Sequence, residues 1–303
     1  MHLVVGATGR LGGAIAIRLL ARGERVRVLV RPHDPARDRL RAYPTERLLA
    51  LGAEVVEGDL TQPETLRPAL AGVEVVLSTA SATKRSGDGT LQAVDVDGSA
   101  ALARAAREAD VRQFVYVSAH LADPDGARLV LREKGQAERA IAASGVGATV
   151  LRPTKFMQDW IGGLLVRQLR ETATMGRARV QLVGYGDVAA SFVDEDDVAA
   201  LAVAVTGRDE TIGETLVLAS ETDTYRALVR RLERAAGHPV ALETLAVGER
   251  VDTVPAALVP TVTALLTSLV TAPPDTVTTP EVAERFGLRL RGIDAFLRRA
   301  LAA

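Results

Sequence analysis

Six short β-branched runs, separated by five longer stretches with helical spacing, fill the first 151 residues and leave this chain few folds to choose from. The strand-like runs are His2–Val5, Arg25–Val30, Glu54–Glu57, Val73–Ser78, Gln113–Val117 and Ala148–Leu151. Between them lie LGGAIAIRLLARG, TERLLALG, PETLRPALAG, LQAVDVDGSAALARAAREAD and ARLVLREKGQAERAIAASG. Several of these end in Gly, the residue that tolerates the left-handed conformation past a helix C-terminus, and Pro63 and Pro124 suit first-turn positions. Apolar strands joined by helices of this length pair in parallel and are covered on both faces. The spacing predicts an α/β domain built on a doubly wound parallel sheet.

After Pro153 the alternation breaks. Runs at Arg179–Val183, Ser191–Val193 and Thr215–Ala219 mix with helices near 195–206 and 224–236, and the tail carries PEVAERFGLRLRGIDAFLRRAL. We expect a Rossmann domain over 1–153, with later segments around 190–220 returning to it. A smaller C-terminal α/β substrate lobe is expected over 154–303, mainly 154–190 and 221–303. A length of 303 residues accommodates both.

The glycines follow the first strand at once. Gly6-Ala-Thr-Gly9-Arg-Leu-Gly12 stands between strand and helix, where small residues allow a tight turn and close approach of backbone to a pyrophosphate. The helix N-terminus offers free N–H groups and a positive dipole end to that anion. Gly6, Thr8, Gly9, Arg10, Leu11 and Gly12 are the expected cradle of a dinucleotide. Nineteen residues past Gly12, where an NAD site places a carboxylate on the ribose hydroxyl, this chain has Arg31. A guanidinium there pairs with a 2′-phosphate, so NADP is favoured over NAD, with Arg10 as a second contact and Asp34 nearby as a complication.

GATGRLG, EGDLTQPETLRPAL, LSTAS, FVYVSAH and ATVLRPTKFM together resemble the NmrA-like branch of the atypical short-chain dehydrogenase/reductases, relatives of isoflavone-reductase-like proteins and small quinone reductases. SFVDEDDVAALA and AERFGLRL are similar to that group as well. The resemblance implies that Asp59 and Leu60 sit by the adenine and that Thr79, Ala80 and Ser81 line the ribose side. It puts Pro153, Thr154, Lys155, Phe156 and Met157 beside the nicotinamide. In the wider superfamily a Tyr lies four residues before the active-site Lys, on the same helix face, where the cation lowers the phenol's pKa. Lys134 matches that Lys, but the Tyr position holds Val130 and the Ser position holds Ala119, with Ser118 one residue earlier as an expected cofactor contact. Loss of the pair is common in the branch and puts ordinary carbonyl chemistry in question.

Only three lysines, Lys84, Lys134 and Lys155, stand against thirty-four arginines. An ammonium is a compact point charge and a guanidinium a broad fork, so a tight site can require one and refuse the other. Lys134 is expected to donate to the nicotinamide-ribose hydroxyls. Lys84 and Lys155 are candidate substrate contacts, Lys155 polarising an oxygen or holding a phosphate, or else surface residues. His120 is the first candidate proton donor, because its ordinary pKa suits acid–base work near neutrality. Tyr185 in a Gly-Tyr-Gly turn is the second, and it is also a candidate substrate contact. Phe156, Met157 and Trp160 cluster in a chain with 3% aromatics and suggest an apolar substrate surface, or the core of the second lobe. Asp194-Glu-Asp-Asp197 precedes a helix, where acids cap N–H groups, so no metal site is expected.

A net charge of −1 gives no field for nucleic acid or an anionic membrane. Absence of Cys removes disulfides and thiolate chemistry and fits a reducing cytoplasm. The opening MHLVV shows no export signal. Twenty-two uncharged residues separate Asp252 from Asp275, but Pro255 and Pro260 interrupt them and no basic cluster flanks them. A buried helix over an apolar pocket, or at a subunit contact, is expected there. The sequence thus predicts a cytoplasmic monomer or homodimer that reduces a small apolar conjugated carbonyl, quinone or enone with NADPH. The alternative is a non-catalytic NADP(H)-binding redox sensor acting through a protein partner. Epimerase or dehydratase chemistry fits poorly, because it relies on the missing tyrosine.

Overall fold

Each β-branched run of the first half forms a strand: β1 His2–Val5, β2 Val26–Val30, β3 Glu54–Glu57, β4 Val75–Ser78, β5 Gln113–Val117 and β6 Ala148–Pro153. Further along come β7 Lys155–Phe156, β8 Arg179–Val183, β9 Ala189–Val193, β10 Thr215–Leu218, β11 Glu221–Thr224 and β12 Ala241–Leu245. The helices used below are α1 Arg10–Ala21, α2 Thr45–Ala50, α3 Leu66–Ala69, α4 Ser99–Glu108, α5 Leu129–Ala143, α6 Arg167–Ala173 and α7 Glu195–Val205. After them follow α8 Tyr225–Ala236, α9 Val259–Thr271, α10 Pro280–Arg285 and α11 Ile293–Ala302. This computed structural model describes residues 1–32, 42–82, 91–174, 176–271 and 274–302.

The chain divides into two units. The first comprises Met1–Pro153, Asp196–Leu218 and Glu284–Leu288. Its seven strands run in the order β10-β6-β5-β4-β1-β2-β3, and every pairing in it is parallel. This is a Rossmann-type sheet, with the order turning at β1 and β4. Central strands covered on both faces need no polar alternation, and all residues of β4 and β5 are buried. The core on one side joins Leu3, Val76, Phe114 and Tyr116 to Leu102 and Ala106 of α4 and Ile141 of α5. The return to this unit begins at Asp196, because β9 pairs in the second unit while β10 takes the sheet edge beside β6.

A buried amide fixes that return. Gln113 is fully enclosed, and its Nε2 lies 3.0 Å from Thr149 Oγ1 and 3.1 Å from both Val205 O and Thr211 Oγ1. Its Oε1 accepts from Gly207 N at 2.8 Å. Burial of an amide is tolerable only when its hydrogen bonds are made, and here they join β5 and β6 to the chain that follows α7.

The second unit comprises Thr154–Glu195, Ala219–Ala283 and Arg289–Ala303. It contains a three-stranded sheet, β11-β9-β7, and a parallel pair, β12-β8. Its core gathers Ile161, Leu165, Phe192, Leu228, Leu266 and Phe296. In α8 the buried residues Tyr225, Leu228, Val229 and Leu232 recur at helical spacing. Thr224 Oγ1 caps its start, accepting from Ala227 N at 3.2 Å, and Gly237 in the left-handed region ends it.

One local expectation changes: Pro124 does not open a helix, since α5 starts at Leu129. The uncharged stretch contains the 13-residue α9, whose Val262, Leu266 and Leu269 are buried, and no helix among the described residues is long and apolar enough to cross a membrane.

Candidate functional site

A parallel sheet places the carboxyl ends of its strands on one edge, and the candidate residues of the first unit follow those ends. Gly6 follows β1, Arg31 follows β2, Asp59 and Leu60 follow β3, Thr79 to Ser81 follow β4, Ser118 follows β5 and Pro153 closes β6. At Gly6 the backbone takes φ 89°, and Gly9 N donates back to Gly6 O at 3.0 Å. A Cβ on Gly12 would lie 2.3 Å from Gly6 O and 2.7 Å from Thr79 Oγ1. Only glycine fits so tight a crossing of turn and helix. Helix α1 then starts at Arg10 with Gly9, which has no side chain, as its cap and no acid in its first turn. Such an end accepts an anion on backbone N–H groups alone.

The neighbouring ends are shaped by hydroxyls. Thr79 N and Oγ1 both donate to Val5 O, at 3.0 and 3.2 Å. Asp59 Oδ1 accepts from Thr61 N and Oγ1 at 2.9 Å each, while Leu60 is buried. Thr8 and Arg31 are half-buried, Arg10 is exposed and Leu11 half-buried. Asp34 and Lys84 lie outside the described residues.

Lys134 sits in α5 with its side chain only 8% exposed. Its Nζ lies 3.3 Å from Asp95 Oδ1 and 3.4 Å from both the Tyr116 hydroxyl and Val117 O, and 5.1 Å from the centre of the Tyr116 ring. Burial alone would lower its pKa, but Tyr116 and Asp95 outweigh burial and raise it. Burial holds the Tyr116 phenol above its ordinary range, against the pull of Lys134, so it stays protonated. Asp95 occupies a wide-turn helical segment, Gln92–Gly98, and its second oxygen accepts from Ala82 N at 2.8 Å. Asp95 therefore ties Lys134 to the loop after β4. Neither Asp95 nor Tyr116 was expected in this role. The one available signal was an acid flanked by Val94 and Val96 on a face that proves buried.

Next to it, Glu133 is buried with Oε2 unbonded among the described residues, and burial followed by the charge of Asp95 raises its pKa. One turn on, Glu138 accepts from Ser118 Oγ and forms a two-pronged pair with Arg152, Nε to Oε1 at 3.0 Å and Nη2 to Oε2 at 2.5 Å. Ser118 is thereby fixed to α5. Val130, in the tyrosine position, is exposed. His120 N donates to Pro153 O at 2.8 Å, and the next residue, Leu121, has φ 61°, a conformation that β-carbon sterics disfavour.

The other candidates belong to the second unit. Thr154 is buried and Phe156 half-buried. Lys155 pairs with Asp275 at 2.8 Å and lies 5.9 Å from the centre of the Trp160 ring, so its charge enters any reaction as half of an ion pair. Met157 has no exposed surface and packs in the core, against which Trp160 is partly buried. Tyr185 is 74% exposed. Asp194 is fully buried and held by Gln158 Nε2 at 2.8 Å and Arg299 Nη2 at 2.5 Å.

A parallel sheet of this order with a glycine cradle at its first turn defines a Rossmann-type α/β protein. The chain belongs to the NmrA-like family, whose model matches residues 2–267. It is 30% identical over 246 residues to the chloroplastic protein High Chlorophyll Fluorescence Phenotype 244 of Arabidopsis thaliana, covering 81% of this chain and 58% of that one. It thus spans less than two thirds of that relative's length. It is 32% identical over 252 residues to a (4-alkanoyl-5-oxo-2,5-dihydrofuran-3-yl)methyl phosphate reductase of Streptomyces griseus, covering 82% of this chain and 78% of that one. The fold matches triphenylmethane reductase of a Citrobacter species, solved with NADP(H), at TM-score 0.76 and 22% identity over 99% of this chain and 100% of that one.

Proposed function

We propose that this chain binds NADP(H) and reduces an apolar conjugated carbonyl, quinone or enone. The observation that carries the reading is the cradle at Gly6–Gly12, where a Cβ would fill the space between turn and helix and where α1 begins behind a glycine cap with no acid in its first turn. A tight glycine turn that leads into a helix N-terminus is the arrangement a pyrophosphate requires. The reductase of Streptomyces griseus and the NADP(H)-bound fold relative support it.

In this reading Gly6, Thr8, Gly9, Arg10, Leu11 and Gly12 hold the pyrophosphate, and Arg31 takes the 2′-phosphate. Asp59 and Leu60 border the adenine. Thr79, Ala80 and Ser81 follow the ribose, and Ser118, Pro153, Thr154 and Phe156 lie toward the nicotinamide. When bound, the nicotinamide supplies hydride. Lys134, kept protonated by Tyr116 and Asp95, presents a fixed positive charge at the end of β5 and orients the sugar. His120 or Tyr185 supplies the accompanying proton. Lys155, Phe156, Trp160 and Lys84 are the candidate substrate contacts; Met157, with no exposed surface, is core and is withdrawn from that set.

One observation favours a second reading, a redox sensor without turnover: Val130 stands where the superfamily's proton donor belongs, and the nearest phenol, Tyr116, is sealed against Lys134. Consumption of NADPH with a panel of naphthoquinones and enones, abolished in Lys134→Ala, is the expected result for the reductase. Tight NADPH binding with no acceptor turned over would leave the sensor and remove the reductase.

A further inference from the structure

Two adjacent glycines stand in the first turn of α1, and the crossing of turn and helix explains only the first. A Cβ on Gly12 would meet Gly6 O and Thr79, whereas one on Gly13 would meet the side chain of Tyr43. It would fall against the edge of that ring, 2.5 Å from Cγ, 2.7 Å from Cε2 and closer still to Cδ2. Carbon atoms do not pack so closely, so the second glycine is what lets the ring lie on the helix backbone. Gly13 is buried there and Tyr43 half-buried.

The same residue reaches the glycine turn itself, where Tyr43 N donates to Thr8 O at 3.1 Å. Thr8 lies between Gly6 and Gly9, so Tyr43 grips the turn through its amide and the start of α1 through its ring. Tyr43 is held in its own place by α2. Pro44 caps that helix, its carbonyl accepting from Arg47 N at 3.1 Å and Leu48 N at 3.3 Å. The Arg47 guanidinium lies 5.2 Å from the centre of the Tyr43 ring, within cation–π range, and Leu48 is fully buried. Glycine gives up more conformational freedom on ordering than any other residue, and a turn made of it has few side chains to hold its shape. A neighbour that keeps such a turn in one conformation relieves the ligand of ordering it.

We propose that Tyr43 is a positioning residue of the nucleotide site, a clamp that holds the Gly6–Gly12 turn in the shape that receives a pyrophosphate, with its amide on Thr8 and its ring on Gly13. The inference rests on the NADP(H) reading and adds to it a residue that lies outside the glycine motif.

The test titrates NADPH into the full chain by calorimetry, with each variant well below its own melting temperature so that a change in affinity is not a change in the folded fraction. Tyr43→Phe keeps ring and amide and should bind within about twofold of the native chain. Tyr43→Ala removes the ring and should weaken NADPH about tenfold, the effect of a turn that is competent in about one molecule in ten. Gly13→Ala pushes a methyl into the ring from the other side and should lower affinity by a similar factor, which tests the clamp even where Tyr43→Ala does not fold. In Tyr43→Ala the space beside Gly13 is vacated, so adding Gly13→Ala should change affinity by no more than about twofold further. Three results would overturn the clamp while leaving NADPH binding by the native chain in place: undiminished affinity in Tyr43→Ala or Gly13→Ala, equal losses in Tyr43→Phe and Tyr43→Ala, or full additivity in the double variant. A native chain that binds no pyridine nucleotide would overturn the clamp and the NADP(H) reading together.

Discussion

Replacing Asp95 by Asn removes the counter-charge of Lys134 and little else. The amide keeps an acceptor for Ala82 N, so the loop after β4 retains its hydrogen bond, and the side chain is nearly isosteric. What remains is an ammonium 8% exposed facing a neutral group that is 2% exposed in the native pair. Breaking a buried pair in this way costs about 3–5 kcal/mol, and retention of the Ala82 contact argues for the lower end, about 3 kcal/mol. The dependence on pH has a definite sign. In the native chain the Lys134 pKa is raised, so the pair's stabilisation is fully present below the unfolded value of about 10.4 and lost as pH rises through the folded one. In Asp95→Asn only Tyr116 is left to oppose burial, so the folded Lys134 pKa drops relative to the native chain. The deficit then shrinks as pH rises through that lowered value. Urea unfolding at about pH 7 and about pH 9.5 measures this. Adding Lys134→Met should recover about 2–3 kcal/mol of the expected sum of the single losses. Additivity within about 0.5 kcal/mol, or a deficit identical at both pH values, would refute the assignment of Asp95 as the partner that keeps Lys134 charged.

Three further outcomes are expected. Gly12→Ala forces a methyl to 2.3 Å from Gly6 O, so calorimetry should show NADPH affinity falling at least about tenfold, with stability lowered by about 1–3 kcal/mol. Arg31→Glu should weaken NADPH by about tenfold or more and leave NADH within about twofold, measured by the same titration; equal losses would remove the 2′-phosphate assignment. Gln113→Ala leaves Gly207 N and the Thr149 and Thr211 hydroxyls short of a partner around a new cavity, and should cost about 3–4 kcal/mol in denaturant unfolding.

The first unit was legible because one physical condition shaped its sequence. Strands covered on both faces need uninterrupted apolar runs, and connections between parallel strands need helices, so VVLS and FVYV announced themselves. The glycine turn was legible because a 2.3 Å crossing admits no side chain. Buried polar residues were not. Asp95 and Gln113 are spelled with the letters of solvated positions, and only the fold reveals that Lys134 and the α7 return meet them inside. Pro124 misled for a related reason: a proline suits a loop as well as a first turn, and helix α5 waits until Leu129. In the second unit a two-residue strand, β7, is too short to carry any period. An apolar pocket in the same unit left no pattern either, since its lining comes from segments more than eighty residues apart, Leu182 and Leu266 among them.

The chain passes from one unit to the other five times, at 153/154, 195/196, 218/219, 283/284 and 288/289. Neither unit is therefore a contiguous piece that a protease or a cloning boundary can release intact. A fragment stopped at Pro153 strips β10 from β6 and takes Val205, Gly207 and Thr211 away from Gln113, leaving a bare ribbon of amides beside an unmatched interior dipole. Such a fragment should precipitate rather than serve as a miniature of the parent.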